Sequence, residues 1–255
     1  MLHPTAIVHP GAEIGKHSEI GPYCIVGEHV SIGARTILQA HVVVNGWTQI
    51  GDDCQLYPFS TVGAASQDRK YAGERAFTRV GSRTILREYV SIQRATGRDE
   101  LTAVGDDCLL LAYVHVAHNC ILGNGVTMSN LAQLAGHVNV GDYVTIGGQT
   151  GIHQFTRVGR HAMVGGMSKL TKDVPPFFLV EGNPCQPYGL NSVGLRRAAF
   201  PVAERQEIKR FYKLLYDPKL NVSQAIEAMK AEVTTDAGRE IIAFLEAPSE
   251  RGVLK

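Results

Sequence analysis

An aliphatic residue recurs at every sixth position along most of the chain, and this period limits the fold more than any other feature. The frame begins at Val8, breaks twice and ends at Leu170. A period of six matches neither an α-helix nor the simple alternation of a β-strand. It matches a triangular coil with three short sides, whose neighbouring turns lie about 4.8 Å apart. The sequence therefore predicts a mainly β protein, folded as a left-handed parallel β-helix of hexapeptide repeats.

Two other positions of the repeat are distinctive. Glycine often follows the aliphatic residue, where we expect it to supply a permissive backbone at a corner of the coil. A small or β-branched residue comes four positions after the aliphatic one, and we expect it to point inward as well. Because no CxxC pair is present, the cysteines at this inward position are predicted to be packing residues rather than redox or metal groups. They are Cys24, Cys54, Cys108 and Cys120.

Two segments interrupt the repeat, near residues 64–79 and 93–103. Continuing the frame through them would place Asp68, Glu74 and Arg98 inside an apolar prism, where an unpaired charge is strongly disfavoured. We therefore predict that both segments leave the coil and return to it. Long loops on a rigid scaffold often carry function, and a tolerated surface insertion is the alternative.

The pattern changes after the last repeat, where a Pro- and Gly-rich link leads into helical spacing. We expect residues 1–188 to form the β-helix with its two excursions, and residues 189–255 to form a C-terminal helical domain that packs against it or against a neighbouring subunit. Pro201 is predicted to open a long helix, and Asn221 and Asp236 are predicted to be the N-caps of two more.

The charge balance and hydropathy exclude several classes of protein. The 25 Lys and Arg residues nearly balance the 24 Asp and Glu residues, so no basic field favours a nucleic-acid partner. No apolar run reaches the roughly 18 residues that a transmembrane helix needs. Residues 1–11 lack the basic and apolar regions of a signal peptide. The sequence therefore predicts a cytoplasmic protein without a transmembrane segment.

Stacking at intervals of 18 brings histidines that are remote in sequence close together. His115 and His118 share one coil, Gly136 lies 18 residues beyond His118, and His137 and His153 are neighbours. A histidine base with the N–H of Gly136 as oxyanion donor would explain the cluster. A metal site of His115, His118 and His137 is a second interpretation, although its spacing departs from that of the γ-carbonic anhydrases. A solvated polar corner is the third.

Several segments taken together resemble the bacterial UDP-N-acetylglucosamine acyltransferases: QDRKYAGE in the first interruption, AYVHVAHNC, LAGHV, IHQF, DVPP and GNP. The resemblance implies transfer of a 3-hydroxyacyl group from acyl carrier protein to the 3-hydroxyl of UDP-N-acetylglucosamine, which begins lipid A synthesis. It also implies a homotrimer with active sites between subunits. No cofactor is implied beyond the phosphopantetheine of acyl carrier protein, and no metal.

The same resemblance assigns roles to residues at matching positions. His118 would be the general base, Asn119 its partner, and the N–H of Gly136 the oxyanion donor. Gly166 lies where the family sets acyl length, and its missing side chain would leave the channel long. The remaining residues implied to bind substrate are Asp68, Lys70, Gln93, His115, His137, His153, Gln154, Asn191 and Arg197.

Two positions depart from the family pattern. The family usually has an aspartate directly after the catalytic histidine, where this chain has Asn119, and a family histidine is replaced by Gln93. An asparagine can still present its carbonyl oxygen to the ring N–H of His118, which keeps the useful tautomer and loses only the charge. Two alternative functions stay open: N-acylation of a UDP-amino sugar, and non-catalytic binding of a sugar nucleotide, which Asn119 alone supports.

Residues 196–213 carry a local excess of four positive charges. Acyl carrier proteins are acidic, so this segment is predicted to steer them. An ordinary solvated helix face is the alternative interpretation.

Overall fold

The computed structural model describes residues 1–255. Short strands alternate with tight corners along residues 1–190, and four helices follow. The strands are β1 Ile7–Val8, β2 Glu13–Ile14, β3 Glu19–Ile20, β4 Ile25–Val26, β5 Val30–Ile32, β6 Ile37–Leu38, β7 Val43–Val44, β8 Trp47–Ile50, β9 Gln55–Leu56, β10 Thr61–Ala64, β11 Phe77–Val80, β12 Ile85–Leu86, β13 Ser91–Gln93, β14 Leu101–Val104, β15 Leu109–Leu110, β16 His115–Val116, β17 Ile121–Leu122, β18 Thr127–Met128, β19 Gln133–Leu134, β20 Asn139–Val140, β21 Thr145–Ile146, β22 Gly151–Ile152, β23 Arg157–Val158, β24 Met163–Val164, β25 Lys169–Leu170, β26 Phe178–Glu181 and β27 Gln186–Leu190.

Successive strands join three different parallel sheets in turn, and the sheets are the three faces of a prism. Face 1 contains β1, β4, β7, β10, β13, β16, β19, β22 and β25. Face 2 contains β2, β5, β8, β11, β14, β17, β20 and β23. Face 3 contains β3, β6, β9, β12, β15, β18, β21 and β24, and it ends in β26 and the antiparallel strand β27. The predicted β-helix is confirmed.

The strand register shows where the chain leaves the coil. Neighbouring strands pair residues 18 apart, as in Ile7 with Ile25. The spacing rises to 30 where Thr61 pairs with Ser91, and to 24 where Ser91 pairs with His115. The extra residues lie between β10 and β11 and between β13 and β14, so both excursions leave the prism at the corner between face 1 and face 2.

The interior of the prism is filled by the aliphatic residue of each repeat, and Leu56, Leu110 and Val116 have no exposed surface. The small inward position is buried too. Burial raises the pKa of the Cys108 thiol to about 11 and that of Cys120 to about 12, which leaves both thiols protonated at neutral pH. Neither is a nucleophile in this environment.

The predicted role of the repeat glycines at the corners is wrong. The left-handed backbone conformation belongs to the third residue after the aliphatic one, as at His17, Tyr23 and Asn119. The glycine directly after the aliphatic residue is needed for a different reason. A Cβ on Gly15 would lie 2.4 Å from the carbonyl carbon of Gly33 in the next coil, so glycine permits close contact between coils.

The C-terminal helices are α1 Ser192–Arg197, α2 Val202–Leu215, α3 Val222–Glu232 and α4 Asp236–Glu246. Pro201 precedes α2, and the side chain of Asn221 caps α3, as predicted. The predicted cap of α4 is wrong by one residue. The hydroxyl of Thr235 accepts from the N–H of Gly238, and Asp236 lies in the first turn instead. None of the four helices has the combined length and apolar character that crossing a membrane requires.

Two arginines of the last coils hold the helices against the prism. Arg157 Nε donates to the fully buried carboxylate of Asp173 at 2.7 Å, and its guanidinium lies over the ring of Phe244 in α4. Arg160 forms a salt bridge of 2.6 Å with Glu240, also in α4. The helical region is therefore joined to the end of the β-helix by charge pairs as well as by apolar packing.

His161 lies in this junction and has an unusual titration. Its ring stacks between Tyr143 and Phe177, and only 7% of the residue is exposed. Burial and, to a smaller extent, the charge of Arg160 lower its pKa from 6.5 to about 4. Between these pH values the unfolded chain binds a proton that the folded chain does not. Stability is therefore full above pH 6.5 and falls as the pH drops toward 4.

We predict that His161→Phe flattens this loss of stability. Phenylalanine keeps the stacking and cannot titrate, so the variant should be spared a loss of up to about 3 kcal/mol between pH 6.5 and 4. The measurement is the free energy of unfolding by denaturant at pH 7 and pH 4.5. The control is His17→Phe, at the exposed equivalent position of the first coils, which should follow the wild-type slope. Equal slopes for His161→Phe and wild type would contradict the prediction.

Candidate active site

The predicted histidine cluster lies at the corner between face 1 and face 2, where both excursions also emerge. His118 follows β16, and its ring lies against Gly136 of the next coil. A Cβ on Gly136 would be 2.5 Å from both Cε1 and Nε2 of the ring. His137 meets His118 edge to face at 5.2 Å between ring centroids and stacks on Phe155 at 4.7 Å. The predicted neighbourhood of His118, Gly136 and His137 is therefore present in the structure.

The two ring nitrogens of His118 have different surroundings. Nδ1 is 2.9 Å from Oδ1 of Asn119, which can only accept a hydrogen bond, so the proton is on Nδ1. Nε2 then carries the lone pair, and it lies 3.9 Å from Oδ2 of Asp68. Only 16% of the His118 side chain is exposed, and the ring is thus a shielded base whose free nitrogen faces the first excursion.

Gly136 contributes a backbone donor beside this ring. Its N–H donates to no group of the protein, although its carbonyl accepts from the N–H of Phe155 at 3.2 Å. The corner position explains this, because Gly136 follows β19 and lies outside the parallel ladder. A free N–H next to a histidine base can stabilise an oxyanion that forms there.

The first excursion reaches the site through Asp68, while Lys70 stays on its exposed side. The N–H of Lys70 donates to Oδ1 of Asp68 at 3.0 Å, which holds the aspartate in a turn. Gln93 has a different environment from the one predicted for a substrate-binding residue. It is 4% exposed, and its Oε1 accepts from the N–H of Gln67, so it anchors the base of the excursion.

A shallow groove runs along the outer surface of face 1 beside the corner. His115, Gln133, His153 and Lys169 line it, and Gln154 lies exposed at the corner next to it. Nδ1 of His115 is 2.7 Å from the hydroxyl of Ser91. Burial lowers the pKa of His115, and nearby His118 lowers it further. Burial also lowers the pKa of His137, and the nearby His118 lowers it further. Both rings are therefore neutral at physiological pH.

The remaining predicted residues lie at the other two corners of the prism. Gly166 lies exposed between β24 and β25, at the corner of face 3 and face 1. Asn191 is 6% exposed and caps α1, and its Nδ2 donates to the carbonyl of His161 at the corner of face 2 and face 3. Arg197 ends α1 and is exposed. Within one chain, the structure does not bring these residues together with His118.

The three-histidine metal site finds no support in the geometry. No three or more histidine, cysteine, aspartate or glutamate side chains are grouped so that they could hold one metal ion. Nδ1 of His118 is already engaged with Asn119, and Nδ1 of His115 is engaged with the hydroxyl of Ser91. The donors of the cluster thus serve hydrogen bonding.

Several contacts of the site escaped sequence reasoning. Ser91 pairs in register with His115, but the register depends on the length of the second excursion. Within residues 196–213, Glu207 is fully buried and accepts from the N–H of Thr234 at 3.0 Å. Arg210 lies 3.7 Å from this carboxylate and 3.9 Å from that of Glu232, so one cation of the segment is already paired.

The prism of six-residue coils, with a histidine and a free backbone N–H at one corner, places the chain in the class of hexapeptide-repeat transferases. Residues 11–46 match the family model described as bacterial transferase hexapeptide (six repeats). Residues 173–254 match the one described as UDP N-acetylglucosamine O-acyltransferase, domain 2. The chain belongs to the UDP-N-acetylglucosamine O-acyltransferase family, and it is an acyltransferase.

Individual relatives support this membership over the whole chain. An acyl-[acyl-carrier-protein]–UDP-N-acetylglucosamine O-acyltransferase from Verminephrobacter eiseniae is 48% identical over 229 residues, which cover 89% of this chain and 87% of the relative. The solved structure of LpxA from Acinetobacter baumannii is 40% identical, with a TM-score of 0.96 over 100% of this chain and 99% of that one. LpxA from Bacteroides fragilis, described as a UDP-N-acetylglucosamine acyltransferase, is 33% identical, with a TM-score of 0.97 over 100% of both chains. The family predicted from the sequence is confirmed.

We predict that Gly136→Ala lowers turnover by about 10²-fold or more. The added Cβ would overlap the His118 ring, and a displacement of about 1 Å from reacting geometry can have an effect of that size. Steady-state kinetics and thermal unfolding should be measured together. Gly27→Ala is the matched control, since its Cβ meets only Oδ1 of Asn45 closely, at 3.0 Å, and lies coils away. Wild-type turnover in Gly136→Ala would mean that His118 need not lie where the structure has it.

Proposed function

We propose that this protein transfers a 3-hydroxyacyl group from acyl carrier protein to the 3-hydroxyl of UDP-N-acetylglucosamine, the first step of lipid A biosynthesis. The observation that carries the proposal is the His118 ring, with Nδ1 bonded to Asn119, Nε2 free and the unused N–H of Gly136 beside it. The relative from Verminephrobacter eiseniae is named as an O-acyltransferase that uses acyl-[acyl-carrier-protein] and UDP-N-acetylglucosamine. The cytoplasmic location stays a prediction.

The geometry supports one sequence of steps. Nε2 of His118 removes the proton from the sugar 3-hydroxyl as its oxygen attacks the thioester carbonyl carbon. The carbonyl oxygen becomes an oxyanion, which accepts the N–H of Gly136. The intermediate then collapses, the carbon–sulfur bond breaks, and the leaving thiolate takes the proton back from His118. The products are the sugar ester and the free thiol of acyl carrier protein, and no resident cofactor takes part.

Two charged surfaces support the proposed substrates. The exposed cations of residues 196–213 include Arg196 and Lys209 beside a shallow groove, and they complement an acidic carrier protein. Arg197 carries a planar guanidinium that suits phosphate oxygens of a nucleotide. Asp68 and Lys70 on the first excursion can contact the sugar nucleotide above His118.

We predict that His118→Ala lowers turnover by about 10²–10⁴-fold, the usual range for loss of a general base. The assay offers a panel of acyl carrier protein thioesters together with UDP-N-acetylglucosamine and the corresponding UDP-amino sugar, and mass spectrometry identifies the product. His17→Ala, on an exposed corner of the first coils, is the control. Near-wild-type activity of His118→Ala would remove His118 as the base. An N-acyl product, or no product at all, would remove the proposed function, and a stoichiometric zinc requirement would restore the metal interpretation.

The distribution of predicted residues over three corners supports a homotrimer. His118 lies at one corner of the prism, whereas Arg197 lies on α1, whose cap Asn191 is bonded to a different corner, so a substrate that contacts both has to lie between two chains. A threefold arrangement of prisms closes such interfaces into a ring. We therefore propose active sites shared by neighbouring subunits.

Mixed oligomers test the shared site. His118→Ala and Arg197→Ala should each be nearly inactive alone, and co-expression with two different tags should yield mixed oligomers that regain part of the wild-type turnover. The gain arises because an intact His118 from one chain meets an intact Arg197 from the next. Mixed oligomers as inactive as their parents would show that each site is made by one chain.

A further inference from the structure

We infer that Thr96 is a positioning residue for His118, a role that rests on the proposed function of His118 as the base. Thr96 lies in the second excursion, between β13 and β14, and it is half-buried. Its peptide group holds the side chain of Asn119, and its hydroxyl holds the base of the first excursion. One residue thereby joins both excursions to the catalytic corner.

The peptide of Thr96 contacts both ends of the Asn119 amide. The N–H of Thr96 donates to Oδ1 at 2.9 Å, and the carbonyl of Thr96 accepts from Nδ2 at 3.1 Å. Turning the amide by half a rotation would set N–H against N–H and oxygen against oxygen, so only one orientation satisfies Thr96. In that orientation Oδ1 uses its second lone pair for Nδ1 of His118, at 2.9 Å.

The fixed amide determines which ring nitrogen of His118 is the base. An Oδ1 that always faces Nδ1 keeps the proton there and leaves the lone pair on Nε2. The main chain of Asn119 is fixed too, because its N–H donates to Oγ1 of Thr102 at 2.8 Å. Its φ of 59° is a left-handed conformation that asparagine adopts more readily than most residues. Thr96 thus selects the tautomer through Asn119 without touching the ring.

The hydroxyl of Thr96 extends this control to the other side of the ring. Oγ1 of Thr96 is 2.7 Å from Oγ of Ser66, and Ser66 Oγ also accepts from the N–H of Asp68 at 3.1 Å. Asp68 is the residue that faces Nε2. A second tie joins the excursions nearby, where the N–H of Gly97 donates to Glu74 at 2.7 Å. Thr96 therefore helps to hold both Asn119, which faces Nδ1, and Asp68, which faces Nε2.

The experiment compares Thr96→Val, which keeps the side-chain shape and loses the hydroxyl, with Thr96→Ser, which keeps the hydroxyl. We expect Thr96→Val to lower kcat by about 10- to 100-fold, as small displacements of a catalytic group do, with KM for the acyl carrier protein substrate unchanged. Thr96→Val keeps the peptide group that orients Asn119, so ¹⁵N NMR of histidine-labelled protein should show His118 as one tautomer in both the wild type and this variant. Thr96→Pro removes the N–H that orients the amide, so it should show a mixture of tautomers as well as a loss of kcat. Thr96→Ser should restore kcat. Ser66→Ala should reproduce the loss, and the double variant should be no worse than either single one.

Thr36→Val is the matched control. It removes a buried hydroxyl that donates to the carbonyl of Gly51 at 2.8 Å in a coil far from His118, so stability should fall while kcat and the tautomer stay as in the wild type. Wild-type kcat in Thr96→Val, or a single tautomer in Thr96→Pro, would overturn the inference. The NMR measurement needs no substrate, so the two proposals fail separately. If His118→Ala stays active while Thr96→Pro still mixes the tautomers, the base assignment falls and the positioning role stands.

Discussion

The stacking of each coil on the next is the constraint on which the rest of the structure depends. Every strand from β1 to β25 pairs with the strand one coil away, and the inward residues of successive coils form a single core in an interior that admits only aliphatic and small side chains. Each buried aliphatic residue contributes roughly 1.5–3 kcal/mol, and the sum over the stack holds the prism together. The excursions respect this constraint. On all three faces, the sequence separation between paired residues rises to 30 at one coil and is 24 at the next. The stack therefore resumes in register after each excursion.

The candidate site is a local variation of the corner that the stack requires at every turn. At most corners one residue has a left-handed backbone, and at another corner the side chains of such residues form a ladder of stacked rings that includes Tyr23, His41 and Phe59. Asn119 and His137 occupy this same corner position in their own coils. The backbone that presents them is thus shared with most other corners, and only the side chains are specific to the chemistry. The excursions then cover this corner alone.

The features that depend on the six-residue period could be predicted from the sequence, whereas the contacts between the loops could not. The coil, the excursions and the nearness of His118 to Gly136 all follow from counting by 18, which is why they could be predicted without a structure. The roles of Ser66 and Thr96 could not, because loop conformation decides which hydroxyls meet. The glycine prediction failed because a conformational reason for glycine was assumed where a steric one applies. The cap of α4 was misplaced because Thr235 and Asp236 are both good capping residues, and only the turn geometry distinguishes them.

The nearest-neighbour character of the stack has a consequence for where disorder can enter. A protein whose units contact only adjacent units behaves as a one-dimensional array, and such an array loosens from its ends inward. Here helices close the C-terminal end through Arg157 and Arg160, and the first coils of the chain lie at the other end of the stack. Several complete coils lie between that end and His118. Thermal fraying at the first coils therefore has to cross a series of interfaces before it disturbs the catalytic corner, and the intervening coils insulate the chemistry from the fluctuations of the terminus.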